Sequence, residues 1–202
     1  MLDRSLLAIL KPLTINIARK LHGLGIGADQ LTFTAFGIGV LSALLISLGF
    51  SIAALPLLLA SRALDGLDGA LARLSAPTDR GAFLDIALDF LFYSLIPLGF
   101  AIASPQANAL AACALLAAFI GTGTSFLAFS VIAEKRGLKS AAYPAKGIYY
   151  LGGLTEGTET IACFTAMCLW PNWFAFLGYC FAVLCVLTTI MRLIAGWQAF
   201  KN

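Results

Sequence analysis

Histidine is almost missing from this chain: His22 is the only one among 202 residues. A multi-histidine metal site is therefore excluded. Charge is scarce as well. Asp, Glu, Lys and Arg make up 11% of the residues against 60% hydrophobic, and the mean hydropathy is +0.93. A soluble domain of this length has no use for so much apolar side chain, so the composition places the protein in a membrane. The five cysteines (Cys113, Cys163, Cys168, Cys180 and Cys185) lie inside apolar runs without the paired spacing of a zinc site, and read as small packing residues. No linker, repeat or low-complexity stretch divides the chain. The first residues lack a secretory h-region with a cleavage site, so the sequence reads as mature.

What is abundant is apolar sequence in long runs. Runs long enough to cross about 30 Å of hydrocarbon fall near 30–49, 51–74, 82–104, 107–133, 147–170 and 173–196. Ahead of them, Leu2, Leu6, Ile9, Leu10, Leu13, Ile17 and Leu21 recur at helical spacing among Arg4, Lys11, Arg19 and Lys20, the pattern of an amphipathic helix lying on a membrane surface. The expected fold is an all-α integral membrane protein. One domain over 1–202 comprises an N-terminal amphipathic interfacial helix at 1–22 and a bundle of six transmembrane helices at 30–200.

Charge placement tests this topology independently. The connections near residues 50, 105 and 172 contain no Lys or Arg. The basic residues fall in the N-terminal helix, around 74–81, in 134–146 and toward the C-terminus, with Arg62 and Arg192 inside spans. An even number of spans puts every basic connection on one side, which the positive-inside rule makes cytoplasmic. The net charge of +3 is then a topology signal, available to anionic headgroups, and not a sign of nucleic-acid binding. The expectation is a multi-pass protein of a bacterial inner membrane with both termini cytoplasmic.

Against this background four aspartates stand out: Asp65 and Asp68 in one apolar run, Asp85 and Asp89 in the next. Each bare carboxylate at a helix centre costs roughly 2.5–3.5 kcal/mol on insertion scales, so four left unneutralised cost on the order of 10 kcal/mol. Arg62, Arg73 and Arg80 are too few to answer them, and a pair of divalent cations fits better. Spacings of three and four put each pair on one helix face, and a tight connection around Pro77 makes the two helices antiparallel, so all four carboxylates can meet. Donors that are all oxygen favour Mg²⁺ or Mn²⁺ over zinc. Two such ions would clamp a diphosphate and stabilise charge on a leaving phosphate. Asp79, in the connection, is open to water and needs no such reading. Gly69, Ala72 and Gly81 beside the acids either allow close helix packing or clear room for a ligand. Arg73, two turns beyond Asp65 and near the same face, suits a phosphate or one of the acids.

The constellation resembles the CDP-alcohol phosphatidyltransferase family, whose pattern is Asp-x2-Asp-Gly-x2-Ala-Arg, a spacer, then Gly-x3-Asp-x3-Asp. All eight defining residues are present: Asp65, Asp68, Gly69, Ala72, Arg73, Gly81, Asp85 and Asp89. The spacer holds seven residues where about eight is usual for the family, a difference confined to the inter-helix turn. The resemblance implies that Asp65, Asp68, Asp85 and Asp89 hold two metal ions, Mg²⁺ or Mn²⁺, and that Asp89 is also the general base for the attacking alcohol. It implies that Gly69, Ala72, Arg73 and Gly81 accept the CDP moiety. It also implies displacement at the β-phosphorus with CMP leaving, and a homodimer. Gly99, Ala101, Ala111 and Ala112 offer small residues for close contact between protomers.

The donor reads as a CDP-alcohol, CDP-diacylglycerol foremost, with a small polar alcohol as acceptor. The alternative is a CDP-amino alcohol with diacylglycerol as acceptor. Glu156 and Glu159, preceded by Lys146, are acceptor-binding candidates because acids in a membrane helix are functional by default, and pairing with Lys146, Arg192 or Arg62 is the structural alternative. Relatives that use phosphorylated acceptors carry arginines in this region, so acidic residues here favour a neutral or cationic alcohol. Tyr143, Tyr149, Tyr150 and Phe92 suit a quaternary ammonium, although interfacial aromatics are commoner. Gly121, Thr122, Gly123, Thr124 and Ser125 read as helix-packing residues. Ala28-Asp29-Gln30-Leu31-Thr32 stands where relatives often show Pro-Asn-x-Leu-Thr. A cation transporter, the non-enzyme alternative, requires internal repeats, and the acidic motif has no counterpart in the second half of the chain.

Overall fold

The computed structural model describes residues 2–137 and 153–201, without the side chains of residues 2–11. Seven helices appear in it: α1 (Leu2–Gly23), α2 (Ala28–Ser47), α3 (Ser51–Ser75), α4 (Asp79–Ala103), α5 (Pro105–Lys135), α6 (Gly157–Leu169) and α7 (Phe174–Ala199). A short 3₁₀ turn, Pro171–Trp173, leads into α7, and no strand occurs among the described residues. Among the described residues four stretches are long and apolar enough to cross a membrane: α2, α4, α5, and α7 with its preceding turn. Between 28% and 39% of the apolar stretch in each is buried inside the protein, so most of that surface faces outward, as lipid requires.

Two of the six expected spans differ from the long apolar pattern. The helix at 51–75 has the expected bounds, but it carries Arg62, Asp65, Asp68 and Arg73. The fifth was expected over 147–170. The observed helix begins only at Gly157, with residues 153–156 irregular, and its 13 residues are too few for the full hydrocarbon thickness.

Packing centres on α2, which lies against both α3 and α4, while those two meet through long side chains such as Arg62. Hydroxyls stitch α2 to α3: Ser61 Oγ donates to the Ala35 carbonyl at 2.7 Å, and Ser42 Oγ donates to the Ala54 carbonyl at 3.0 Å. Gly39 makes the triple junction possible, because a Cβ there would stand 2.6 Å from Phe92 Cδ2 and 2.9 Å from Ser61 Oγ. On the other side α5 packs on α7, and α4 joins the halves by its contact with α5. The core between them is aromatic, with Phe92, Tyr93, Phe119 and Phe164 in edge or tilted contact and Phe100 stacked on Phe174 at 4.6 Å.

The small residues offered for a protomer contact are used within the protomer. Gly99 lies against the Ala43 carbonyl, where a Cβ would come to 2.8 Å, and Ala111 and Ala112 are each 1% exposed. Ala101 packs against the same core. Lipid offers no hydrophobic drive between helices, so close approach falls to small side chains, and these serve the bundle's own interior. In the other small stretch the two glycines pack as expected, whereas Thr124 is exposed. A Cβ on Gly123 would collide with Phe90 at 2.5 Å, and one on Gly121 would meet Thr189 at 3.1 Å. Helix α1 docks by Ala18, Ile17 and Leu21 onto Leu31, Leu67, Ala70 and Leu71, the buried side of the acidic segment of α3.

Candidate metal centre

Three residues, Ala76 to Thr78, separate α3 from α4, so the chain reverses within one short turn. Pro77 lies between the helices, and Thr78 caps α4, its Oγ accepting from the Gly81 amide at 3.1 Å. This turn sets the two acidic segments opposite each other, and α2 packs against both helices.

Carboxylate oxygens of Asp65, Asp68 and Asp85 lie within 4.8 Å of one another. That spacing, with oxygen donors only, fits a hard divalent cation. Asp68 is the most buried of the three, at 4% exposure, and its Oδ2 accepts from Thr32 Oγ at 2.5 Å. Asp65 is half-buried and Asp85 exposed. The fourth acid stands outside this group. Asp89 Oδ1 accepts from Arg62 Nη1 at 2.6 Å, and the same nitrogen is 3.4 Å from Asp65 Oδ2. Arg62 is thus a cation inside the acidic cluster. Its three-residue offset from Asp65 was visible in the sequence, but its alignment with Asp89 depends on how α3 and α4 face each other.

The other motif residues lie on the same two helices. Arg73 is exposed and folds back along α3, bringing Nη1 to 3.5 Å from where a Cβ on Gly69 would be. Gly81 faces Asp29 Oδ1, 3.2 Å from its Cβ position. Asp29 Oδ2 in turn accepts from Arg80 Nε at 2.9 Å and Nη2 at 2.6 Å. The N-terminal end of α2 therefore meets α3 through Thr32 and α4 through Asp29. The sequence pointed to this segment only by its likeness to Pro-Asn-x-Leu-Thr, without a contact to assign.

The acceptor candidates are placed differently from expectation. Lys146, Tyr143, Tyr149 and Tyr150 lie outside the described residues. Glu156 is the residue before α6 and not inside a helix, and Glu159 is its third helical residue. Glu159 Oε2 accepts from the Glu156 amide at 3.2 Å and the Glu156 side chain accepts from the Glu159 amide, so the two acids form a capping box, and Glu156 Oε1 also accepts from the Gly153 amide at 3.2 Å. Arg192, 8% exposed, sits beside Gly153, with Nη2 at 3.3 Å from that Cβ position, and Nη1 donates to the Thr122 carbonyl. The region read as acidic contains a buried cation. Phe92 already carries a cation: it is fully buried, with the Arg62 guanidinium carbon 3.7 Å from its ring centroid. That leaves its ring no face for a quaternary ammonium.

Comparison with known proteins points the same way as the motif. A family model described as CDP-alcohol phosphatidyltransferase matches residues 26–191. The chain is 52% identical over 202 residues to Inner membrane protein YnjF of Escherichia coli (strain K12), covering 100% of this chain and 98% of that one. Among solved structures, it is similar to Mycobacterium tuberculosis phosphatidylinositol phosphate synthase (PgsA1) with CDP-DAG bound, at 24% identity and TM-score 0.74, covering 95% of this chain and 98% of that one. The same synthase with manganese and citrate gives 24% identity and TM-score 0.72, covering 94% and 92%. At such identity these structures show a shared fold.

Proposed function

The chain belongs to the CDP-alcohol phosphatidyltransferase family, and from that membership we propose that it moves a substituted phosphate from CDP-diacylglycerol to the hydroxyl of an alcohol acceptor, releasing CMP in a reaction that requires Mg²⁺ or Mn²⁺. The observation that carries the metal requirement is the meeting of Asp65, Asp68 and Asp85 oxygens within 4.8 Å. The PgsA1 neighbours support the donor and the ion, one having CDP-DAG bound and another being in complex with manganese.

Asp65, Asp68 and Asp85 would hold the ions, joined by Asp89 for a second one. Two bound dications supply a clamp on the diphosphate and offset the charge that builds on departing CMP. Asp89 takes the proton from the attacking hydroxyl, whose oxygen bonds to the β-phosphorus as the bridging bond to CMP breaks. Gly69, Ala72 and Gly81 carry little side chain and leave room for the CDP moiety, and Arg73 over Gly69 supplies a cation to its phosphates. Lys146, Glu156 and Glu159 remain the acceptor candidates, with the two glutamates also capping α6.

The proposed topology keeps six crossings of one domain, the fifth over the 147–170 run of which α6 is only a part, with the acidic cluster and both termini on the cytoplasmic side. The acids of α3 meet Asp85 of α4, which lets a charged helix span. α1 runs along the membrane surface and the enzyme is a homodimer, joined through outward-facing apolar residues because Gly99, Ala111 and Ala112 are already buried.

The test is CMP release by the purified protein, offered CDP-diacylglycerol and CDP-amino alcohols against a panel of alcohols and diacylglycerol, with Mg²⁺, Mn²⁺ or EDTA. Release from CDP-diacylglycerol that stops in EDTA is expected. Release only from CDP-amino alcohols would replace the donor, and metal-independent release would overturn the metal requirement.

A further inference from the structure

The acidic cluster contains an arginine that the family motif does not include. Arg62 has 6% of its side chain exposed, and its guanidinium is held on several sides. Nη1 bridges Asp89 Oδ1 at 2.6 Å and Asp65 Oδ2 at 3.4 Å, while Nη2 donates to Ser61 Oγ at 3.2 Å. The flat face lies 3.7 Å from the centroid of the fully buried Phe92, with Tyr93 at 5.9 Å. Nε is buried without a hydrogen-bond partner.

Two consequences follow from this placement. First, the four acids do not make equivalent cation sites: three converge, with Arg62 no nearer than 3.4 Å to Asp65 among them, and the fourth, Asp89, accepts from Arg62 at 2.6 Å. Second, Arg62 has an anchor that does not depend on Asp89. The Phe92 face and Ser61 hold the planar group when Asp89 turns away, so releasing the carboxylate does not require the side chain to leave its pocket. A guanidinium neutralises carboxylates as a divalent ion does, but it cannot be diluted away, and it competes with any ion that uses the same oxygens.

We propose that Arg62 is a resident cation that holds Asp89 until a second divalent ion displaces it, so that the two ions load in order: first at Asp65, Asp68 and Asp85, then at the Asp65–Asp89 side. The proposal rests on the two-ion reading above and adds a positioning residue for Asp89. It makes the second ion weak when the first is tight. It also gives the ion-free protein an internal neutraliser for charges that otherwise repel one another.

Mn²⁺ titration of the purified full-length protein, with free Mn²⁺ counted by electron paramagnetic resonance, tests this without turnover. Wild type should bind two ions with affinities at least tenfold apart. Arg62→Gln should tighten the weaker site about tenfold or more and leave the tighter one within about threefold, whereas Arg62→Lys, which keeps the charge, should restore most of the gap. In EDTA, Arg62→Gln should melt lower than wild type, and saturating Mn²⁺ should raise its melting temperature by more. Asp89→Asn with Arg62 intact should lose the weaker ion and keep the tighter one, so the test survives if Arg62→Gln fails to fold. Unchanged or uniformly weakened binding in Arg62→Gln, or loss of the tighter ion in Asp89→Asn, would overturn the proposal while leaving the two-ion reading standing. A wild type that binds no Mn²⁺ would sink both.

Discussion

Thr32 Oγ on α2 donates to Asp68 Oδ2 on α3 across 2.5 Å, joining the first helix of the bundle to the most buried acid of the cluster. Thr32 is itself 5% exposed. A hydrogen bond to a charged group in such surroundings is worth about 1.5–3 kcal/mol. The link makes α2 part of the metal site's support and not merely a neighbour. Thr32→Val is therefore expected to lower CMP release and Mn²⁺ affinity by about tenfold or more, with Thr32→Ser close to wild type. Parallel titrations of the two variants check this, and equal behaviour of Val and Ser would remove the hydroxyl from the account.

Asp68→Asn or Asp85→Asn takes one ligand charge from a site that must hold dications. Turnover should fall by roughly two to three decades or more, the usual cost of a key electrostatic group. Circular dichroism and size-exclusion profiles should stay those of wild type. Near-normal turnover in a folded variant would count against the metal role.

Gly39 lies where three helices meet, with Phe92 and Ser61 already inside the distance a Cβ needs. Gly39→Ala should cost on the order of 1–3 kcal/mol through overpacking. Because Phe92 carries the Arg62 guanidinium, the same variant should also disturb the acidic cluster. Thermal melting in detergent, with and without Mn²⁺, reads both effects.

The capping pair separates support from acceptor recognition. Glutamine keeps the bond from Glu159 to the Glu156 amide, so Glu159→Gln should melt as wild type does, whereas Glu159→Ala should lose about 1 kcal/mol. In the Gln variant a role toward the acceptor shows itself as a raised KM for the alcohol with an unchanged KM for the CDP donor. Glu156, 7% exposed and bonded to the Gly153 amide, should be the more costly residue to truncate.

Much of this protein was written along the chain. Composition alone placed it in a membrane, and the run lengths gave α2, α4, α5 and α7 nearly at their observed bounds, because hydrocarbon thickness sets a minimum length that any sequence must meet. The eight motif residues were equally legible. Helical spacing puts Asp65 with Asp68 and Asp85 with Asp89 whatever the surroundings, and the short connection at Pro77 leaves the two helices little choice but to turn back. The short α6 was harder to see, since apolar sequence continues upstream of Gly157 while the backbone starts its helix only where Glu156 and Glu159 can cap it.

What only the tertiary structure decided is which polar groups meet across helices. Arg62 read as one more basic residue in a span until the facing of α3 and α4 set it between Asp65 and Asp89 and laid it on Phe92. Thr32 reaches Asp68 because α2 wedges between the two acidic helices, and Gly99, Ala111 and Ala112 are interior because helix rotation turned them inward. Periodicity along a sequence determines which residues share a helix face. The rotation and register of one helix against another are set by the sum of many side-chain contacts, and no local pattern carries that information.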